Sequence, residues 1–155
     1  MSETAVMLEP NEGRSVGLGP TRVAFKVESS EAQGASLVEF AAAPGFDTGV
    51  HVHERLEESF YVLEGEFEFR AGDEIFHARP GACIFVPPHV PHAFANRSAK
   101  PAKLLLVMAP PTHDRYFDEL GAILAADGPA DGAAIGALRE RYDTRQLSTL
   151  TSGRA

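Results

Sequence analysis

Alternating apolar and polar residues dominate the middle of this sequence. Residues 66–70 read EFEFR and alternate strictly, while residues 59–63, SFYVL, form a run of aromatic and branched side chains. Both patterns are typical of β-strands, the first with one face in water. Between two later runs, Pro80-Gly81 provides the fixed φ and then the positive φ of a type II turn. Short strands at spacings of about ten residues predict an antiparallel, mainly all-β sandwich or barrel over residues 21–110.

The pattern changes at both ends of this region. Residues 1–20 have little periodicity and several glycines and prolines, so we expect an extended arm that orders only against another surface. Beyond residue 110 the period becomes helical, with apolar residues such as Phe117 and Leu120 on one face. Asp131 is placed to cap a second helix. We therefore expect residues 111–155 to form an extension of one or two α-helices packed outside the β core.

Length, charge and cysteine content narrow the class of protein. The 155 residues suffice for one domain with its own core. Twenty-two acidic residues against 14 basic ones give a net charge of −8, which argues against a nucleic-acid partner. Cys83 is the only cysteine, which excludes an intrachain disulfide and suits a reducing compartment.

The sequence also argues against a membrane or secreted location. Its first residues lack the basic and apolar regions of a secretory signal. The longest apolar run, residues 104–109, is too short to cross a bilayer. We therefore expect a cytoplasmic protein with no membrane partner.

Three histidines and one glutamate are the candidate chemical residues. His51 and His53 are two positions apart, so on a strand both side chains point to the same face. Glu58 opens the next strand, and an antiparallel sheet can return His92 to the same neighbourhood. A single histidine is more often structural than a ligand. Three imidazoles and a carboxylate together suit one divalent transition metal per chain, either Fe, Mn, Ni, Cu, Zn or Co, with coordination positions left open.

The four candidate residues belong to two sequence motifs, each with a characteristic spacing. The first motif contains three of the candidate ligands and the second contains the fourth. The motif positions are Gly45, His51, His53, Glu58, Gly65, Gly81, Pro87, His92 and Asn96. In both motifs the chain resembles the cupin superfamily, and it resembles a small bacterial single-domain cupin. It departs from the second motif at His89, where glycine is usual, but histidine tolerates the positive φ of that turn.

The resemblance implies an antiparallel double-stranded β-helix, or jelly-roll barrel, that holds the metal inside with the four candidate ligands. Strand parity agrees with a site of this kind. It places Phe60 and Val62 on the side of the glutamate, and Phe94 and Asn96 on the side of the last histidine. The pocket around the metal is then mainly apolar. Such a pocket suits a hydrophobic or aromatic small molecule that carries one chelating oxygen.

Within the cupins, residues 57–65 and the tail segments 115–121 and 141–143 resemble the quercetin dioxygenase-like group. This resemblance implies an oxygenase acting on a flavonol or related enol, with Glu58 as the general base that takes the substrate proton. Two alternatives stay open. One is a non-oxidative cupin metalloenzyme, such as an isomerase, decarboxylase or polyketide cyclase, and the other is a cupin that binds a small molecule without turnover. We also expect a homodimer, because the arm of residues 1–20 has no evident place to bury itself.

Four other residues are expected to serve structure or solvation. We expect His77 to be packed or hydrogen-bonded within its strand, and Cys83 to be a small core hydrophobe. His89 should face solvent from a turn. His113 should be solvated at the start of a helix.

Overall fold

Two antiparallel sheets form the body of the protein. A computed structural model describes residues 4–148. In chain order the elements are β1 (Ser15–Leu18), β2 (Thr21–Val27), β3 (Ser36–Ala42), β4 (His51–Val52), β5 (Glu57–Glu64), β6 (Phe67–Ala71), β7 (Glu74–Ala78), β8 (Cys83–Val86), β9 (His92–Ala95), β10 (Ala102–Ala109), α1 (Asp114–Ala125), α2 (Gly132–Arg141) and β11 (Arg145–Gln146). The first sheet has the order β1-β2-β3-β10-β5-β8 and the second the order β11-β4-β9-β6-β7. This arrangement confirms the predicted double-stranded β-helix with two C-terminal helices.

Aromatic side chains fill the space between the two sheets. Phe60 of β5 packs against Phe69 of β6 and Phe94 of β9, with ring centroids 5.0 and 5.2 Å apart. Phe40 of β3 meets Phe94 edge to face at 5.5 Å. Because all four rings are at most 4% exposed, they stabilise the fold through buried area as well as through ring contacts. The inward face of each strand is thus the apolar one, as the period of two predicts.

The turns at the ends of the motifs have the backbone that their residues favour. The N–H of Ala82 donates to the carbonyl of Arg79 at 2.9 Å, and Gly81 has a φ of 91°, which confirms the type II turn. His89 has a φ of 70° and an exposed side chain, as predicted for its turn. Its N–H donates to the carbonyl of His53 at 2.8 Å, so the second motif is tied directly to the first.

The segment predicted as an N-terminal arm ends in a strand. Within residues 1–20, β1 pairs with β2, so the first sheet begins before residue 21. Helix α1 packs across β1, and Gly121 permits this close approach, since a Cβ there would lie 2.5 Å from Cγ2 of Val16. Arg14 forms an ion pair with Asp118 of the same helix. The end of the arm is therefore ordered by the helix and by β2.

Both predicted helices form, and they reach into the barrel. The side chain of Asp131 accepts the N–H groups of Ala133 and Ala134, each at 3.0 Å, which confirms it as the N-cap of α2. Phe117 and Leu120, on the predicted apolar face of α1, are buried. The ring of Phe117 lies 5.4 Å from an inward-facing ring of β3. Within residues 4–148, neither helix is long and apolar enough to cross a membrane.

Two predictions about single strand residues are wrong. Cys83 is exposed and not part of the core. It lies opposite the outward-facing Tyr61, and the period of two sends Ile84 and Val86 inward instead. His77 is also exposed, because β7 is an edge strand in which all but the last residue are exposed.

Candidate metal centre

The four predicted ligands meet inside the barrel. His51 lies on β4 with His53 just after it, Glu58 lies on β5, and His92 lies on β9. One ligand atom from each side chain falls within 4.8 Å of the other three. No side chain of the four is more than 7% exposed. The pairing of β4 with β9 joins the two motifs, because it sets His51 opposite His92 with ring centroids 4.4 Å apart.

A backbone carbonyl orients each imidazole of the centre. The three Nδ1 contacts are His51 to Gly49 O at 2.9 Å, His53 to Asp143 O at 2.8 Å, and His92 to Val90 O at 2.9 Å. Because a carbonyl can only accept, each Nδ1 carries a proton, and in the neutral form of the ring Nε2 carries a lone pair. A hydrogen bond from the outer nitrogen of this kind holds metal-binding histidines in place.

The contacts of Glu58 show that the centre fits a cation. Its Oε2 lies 2.8 Å from Nε2 of His92 and 3.3 Å from Nε2 of His53. With the protons on Nδ1, nitrogen lone pairs face a carboxylate oxygen, which is repulsive unless a positive charge lies among them. Nε2 of His53 is buried without a hydrogen-bond partner, which is unusual in a purely structural cluster. Three neutral imidazoles and one carboxylate can hold a divalent transition metal and leave it a residual positive charge.

Burial and mutual contact set the charges of these groups. Burial lowers the pKa of His51 well below its ordinary value, and His92 lowers it further. Burial by itself raises the pKa of Glu58, but the contacts of its carboxylate with His53 and His92 outweigh burial and hold this pKa well below the usual range. For His53, burial lowers the pKa and the Glu58 carboxylate raises it, with a net rise. A metal ion must therefore compete with a proton at His53, whereas Glu58 and His51 are already in their metal-binding forms.

A mainly apolar cavity opens beside the centre. Its volume is about 50 Å³, which is room for a ligand of few heavy atoms. Among the described residues that line it, Glu58 is the only acidic one. Besides His51, His53 and Glu58, the lining residues are Leu18, Phe40, Phe46, Thr48, Phe94, Leu106, His113, Tyr116, Phe117, Leu120, Arg139 and Thr144.

Strand parity predicts which side chains point inward, but not which of them reach the cavity. Phe60, Val62, Phe94 and Asn96 are all buried, and of these only Phe94 lines the cavity. The side-chain amide of Asn96 donates to two backbone carbonyls at 3.0 and 2.7 Å. Asn96 therefore holds a loop in place and adds no polar group to the cavity.

His113, predicted to be solvated, is buried beside the centre instead. It is 3% exposed, and its ring centroid lies 5.5 Å from that of His53. Its Nε2 lies 3.2 Å from Oγ1 of Thr144, which in turn lies 3.2 Å from Nδ1 of His53. Burial lowers the pKa of His113 to about 4, so the ring is neutral at pH 7. The prediction is wrong because the segment after α2 folds back against the start of α1, a contact without a local sequence signal.

Two further lining residues, Tyr116 and Arg139, come from the helices and were not predicted as site residues. The sequence shows the first as one position of an apolar face and the second as a charge in the last turn of a helix. Neither signal separates a site residue from an ordinary helical one. Their place in the cavity follows only from how the helices pack on the sheets.

The fold and this centre define a class, that of double-stranded β-helices with a buried site of three histidines and one glutamate. A family model described as the cupin domain matches residues 38–108, which contain all four residues of the centre. The chain belongs to the cupin superfamily.

The chain is also similar to a curated protein and to solved structures. An uncharacterized protein of Methanocaldococcus jannaschii is 36% identical over 76 residues, which is 49% of this chain and 61% of that relative. The match thus spans about three fifths of the length of the curated relative. The crystal structure of TT1209 from Thermus thermophilus is 38% identical, with a TM-score of 0.51 over 57% of this chain and 83% of that one. KdgF from Halomonas sp. has a TM-score of 0.64 and 19% identity over 72% of this chain and 98% of its own, a likeness of fold.

Proposed function

We propose that this protein is a metal-dependent dioxygenase that acts on a small enolic or aromatic molecule. The observation that carries the proposal is that a buried set of three imidazoles and one carboxylate opens onto an apolar cavity. Four protein ligands leave coordination positions free for molecules that enter the cavity. The apolar walls keep water away from those positions.

Each residue of the centre has a separate role in this proposal. His51, His53 and His92 hold the metal through Nε2, with their rings fixed by the carbonyls behind them. When bound, the metal supplies Lewis acidity and a redox centre for dioxygen. Glu58 would be the fourth ligand before substrate enters; its carboxylate would leave that position and accept the proton of a substrate hydroxyl or enol, because it is the acidic side chain that reaches the cavity. Loss of that proton leaves an electron-rich enolate, which is the form that reacts with dioxygen.

The size of the cavity favours the small end of the substrate range. The space open to the centres of water-sized molecules is about 50 Å³. One water needs about 10–15 Å³ of such space, so the cavity holds only a few waters and has less room than a flavonol needs. A compact enol, a diketone or a single-ring phenol fits more readily between Phe40, Phe94 and Tyr116. We therefore rank such molecules before flavonols as substrates.

A non-oxidative metalloenzyme is the second candidate function. The observation that favours it is the presence of Arg139 and Tyr116 on the cavity wall. Hydrogen-bond donors there can stabilise an enolate with no oxidant involved. In this case Glu58 moves a proton within the substrate, and dioxygen is not consumed.

Oxygen uptake separates these functions. The protein is loaded in turn with Fe(II), Mn(II), Co(II), Ni(II), Cu(II) or Zn(II) and mixed with small diketones, enols, phenols and flavonols. The dioxygenase proposal expects oxygen consumption matched to substrate loss, abolished in Glu58→Gln and retained in His77→Ala, an exposed control. Substrate loss without oxygen uptake supports the non-oxidative enzyme. Binding without turnover of any compound supports a small-molecule-binding protein, and both outcomes contradict the dioxygenase.

The exposed cysteine bears on where the protein works. Cys83 has a free thiol at the surface. Free surface thiols persist in reducing compartments and are oxidised outside them. We therefore propose a cytoplasmic location.

A further inference from the structure

A buried arginine lines the cavity without a carboxylate partner. Arg139 is 3% exposed, and no salt bridge among residues 4–148 includes it. Its Nε donates to the phenol oxygen of Tyr116 at 3.1 Å, and its Nη2 donates to the carbonyl of Thr48 at 2.8 Å. Its Nη1 donates to the side-chain oxygen of Gln146. All these acceptors are neutral, although burying a cation without a counter-ion is costly.

The guanidinium has donors left for a ligand. It carries more N–H groups than these three bonds use. Its planar fork matches the two oxygens of a carboxylate. Arg139 can therefore bind an anion in the cavity through its positive charge and through hydrogen bonds from its planar guanidinium.

The phenol of Tyr116 adds a second donor on the same wall. It is 7% exposed, and its oxygen accepts the bond from Arg139. Its own O–H proton is therefore turned away from Arg139, and no hydrogen bond within residues 4–148 uses that proton. The ring of His113 connects this wall to the metal centre, since its centroid lies 5.4 Å from that of Tyr116 and 5.5 Å from that of His53.

The charges around the cavity favour an anionic ligand. Glu58 is committed to the histidines, and Arg139 carries the remaining full charge of the lining. A divalent metal on the four ligands keeps a residual positive charge, which adds to that of Arg139. Apolar walls screen these charges weakly. A negatively charged molecule is therefore bound more strongly here than a neutral one of the same shape.

We propose that Arg139 and Tyr116 form a carboxylate-binding subsite, and that the substrate is a small carboxylic acid with a second oxygen directed at the metal centre. The volume of about 50 Å³ limits the rest of the molecule to few heavy atoms. This inference rests on the proposed metal-dependent function. It narrows the substrate class from enols in general to small enolisable keto and hydroxy acids.

Pyruvate and pyruvamide are matched probes, because they share one shape and differ in the charge at one end. In calorimetric titrations of the zinc-loaded wild type, pyruvate should bind at least about ten-fold more tightly than pyruvamide. Arg139→Gln should reduce this ratio to about two-fold or less, with zinc content unchanged. Tyr116→Phe should weaken pyruvate binding by about five-fold.

A structural role of Arg139 has to be told apart from ligand binding. The residue also ties α2 to the loop at Thr48 and to Gln146, so circular dichroism and zinc content are measured for every variant. Tyr116→Phe removes one oxygen, keeps the ring in place and so provides an independent measurement. The subsite is overturned by an unchanged probe ratio in folded Arg139→Gln, or by unchanged pyruvate affinity in Tyr116→Phe. Equal binding of the two probes to the wild type, or no binding of either, overturns it as well.

Failure of the subsite and failure of the proposed function give different results. A protein that prefers pyruvate through Arg139 but consumes no oxygen with any compound supports the subsite and contradicts the dioxygenase. A protein that binds the two probes equally but consumes oxygen with neutral enols supports the dioxygenase and contradicts the subsite.

Discussion

The backbone carbonyl of Asp143 accepts the Nδ1 proton of His53 at 2.8 Å, while the carboxylate of the same residue accepts the backbone N–H groups of residues 54–56. Asp143 therefore holds both the ring of one candidate ligand and the chain that leads from it to Glu58. It does so with a φ of 52°, a left-handed conformation that aspartate tolerates better than most residues. The C-terminal segment is thus part of the candidate metal centre, although it lies outside both motifs.

Loss of the Asp143 carboxylate should weaken the centre. We expect Asp143→Ala to lower metal affinity by about 10- to 100-fold and the free energy of unfolding by about 1–3 kcal/mol. Competition with a chromophoric chelator and denaturant unfolding measure the two effects. Asp143→Asn is the matched control. Because asparagine keeps an acceptor oxygen and tolerates the same φ, this variant should lose less metal affinity and less free energy of unfolding than Asp143→Ala. Wild-type metal affinity in Asp143→Ala would show that the tail does not orient the ligand.

The same carboxylate predicts a pH dependence of stability. Burial raises the pKa of Asp143, but the N–H groups of Arg55, Leu56 and Glu54 outweigh burial and hold this pKa below its ordinary value. A lowered pKa contributes stability that is present above the unfolded-state value and lost as the pH falls through the folded-state value. The stability difference between wild type and Asp143→Asn should therefore stay constant from roughly pH 7 to 5 and shrink below about pH 4. Denaturant unfolding at each pH tests this, and a difference that grows on acidification contradicts it.

Removal of one histidine of the centre should release the metal and leave the barrel folded. His51→Ala or His92→Ala deletes a ligand, whereas the aromatic core between the sheets stays intact. Elemental analysis should show metal content falling from about one ion per chain to near zero, with an unchanged far-ultraviolet circular dichroism spectrum. His77→Ala, at an exposed position, is the control and should keep its metal. Equal metal content in the wild type and in all three variants would contradict the proposed metal centre.

The outer face of the first sheet carries a mostly apolar patch that could join two copies of the chain. Tyr61 and Phe85 are 47% and 56% exposed. The outward positions around them are uncharged, namely Ser59, Leu63, Cys83, Leu105 and Val107, and the charged Glu57 and Lys103 lie at the ends of this patch. The net charge of −8 disfavours contact between two copies, and an uncharged patch adds least to that repulsion. We therefore propose a homodimer through this face.

Sedimentation at micromolar concentration tests this interface. The wild type should have the mass of two chains, and Phe85→Glu should have the mass of one. Ile75→Glu, on the exposed edge strand of the other sheet, should remain dimeric. A monomeric wild type, or a dimeric Phe85→Glu, would show that this face does not join the copies.

Local pattern sufficed for most strands between residues 21 and 110 and for the turn at Pro80-Gly81, and together with the spacing of the two motifs it sufficed for the four residues of the candidate centre, but it missed β1 and β11. The alternation over residues 66–70 reports which side of a strand is buried, because neighbouring side chains point to opposite faces. The two-residue spacing of His51 and His53 works in the same way. The prediction that Cys83 lies in the core was wrong, because an apolar residue in a strand can lie on either face of the sheet.

Residue order alone was enough to predict a mainly β chain with two helices at its end and one set of three histidines and a glutamate in cupin spacing. The rest of the cavity depends on how the folded elements pack: the support of His53 by Asp143, the burial of His113, and the placement of Arg139 beside Tyr116. These contacts escape a local pattern because they join residues far apart in the chain. His53 and Asp143 are 90 residues apart, and the apolar face of a helix shows that it packs against something without showing what.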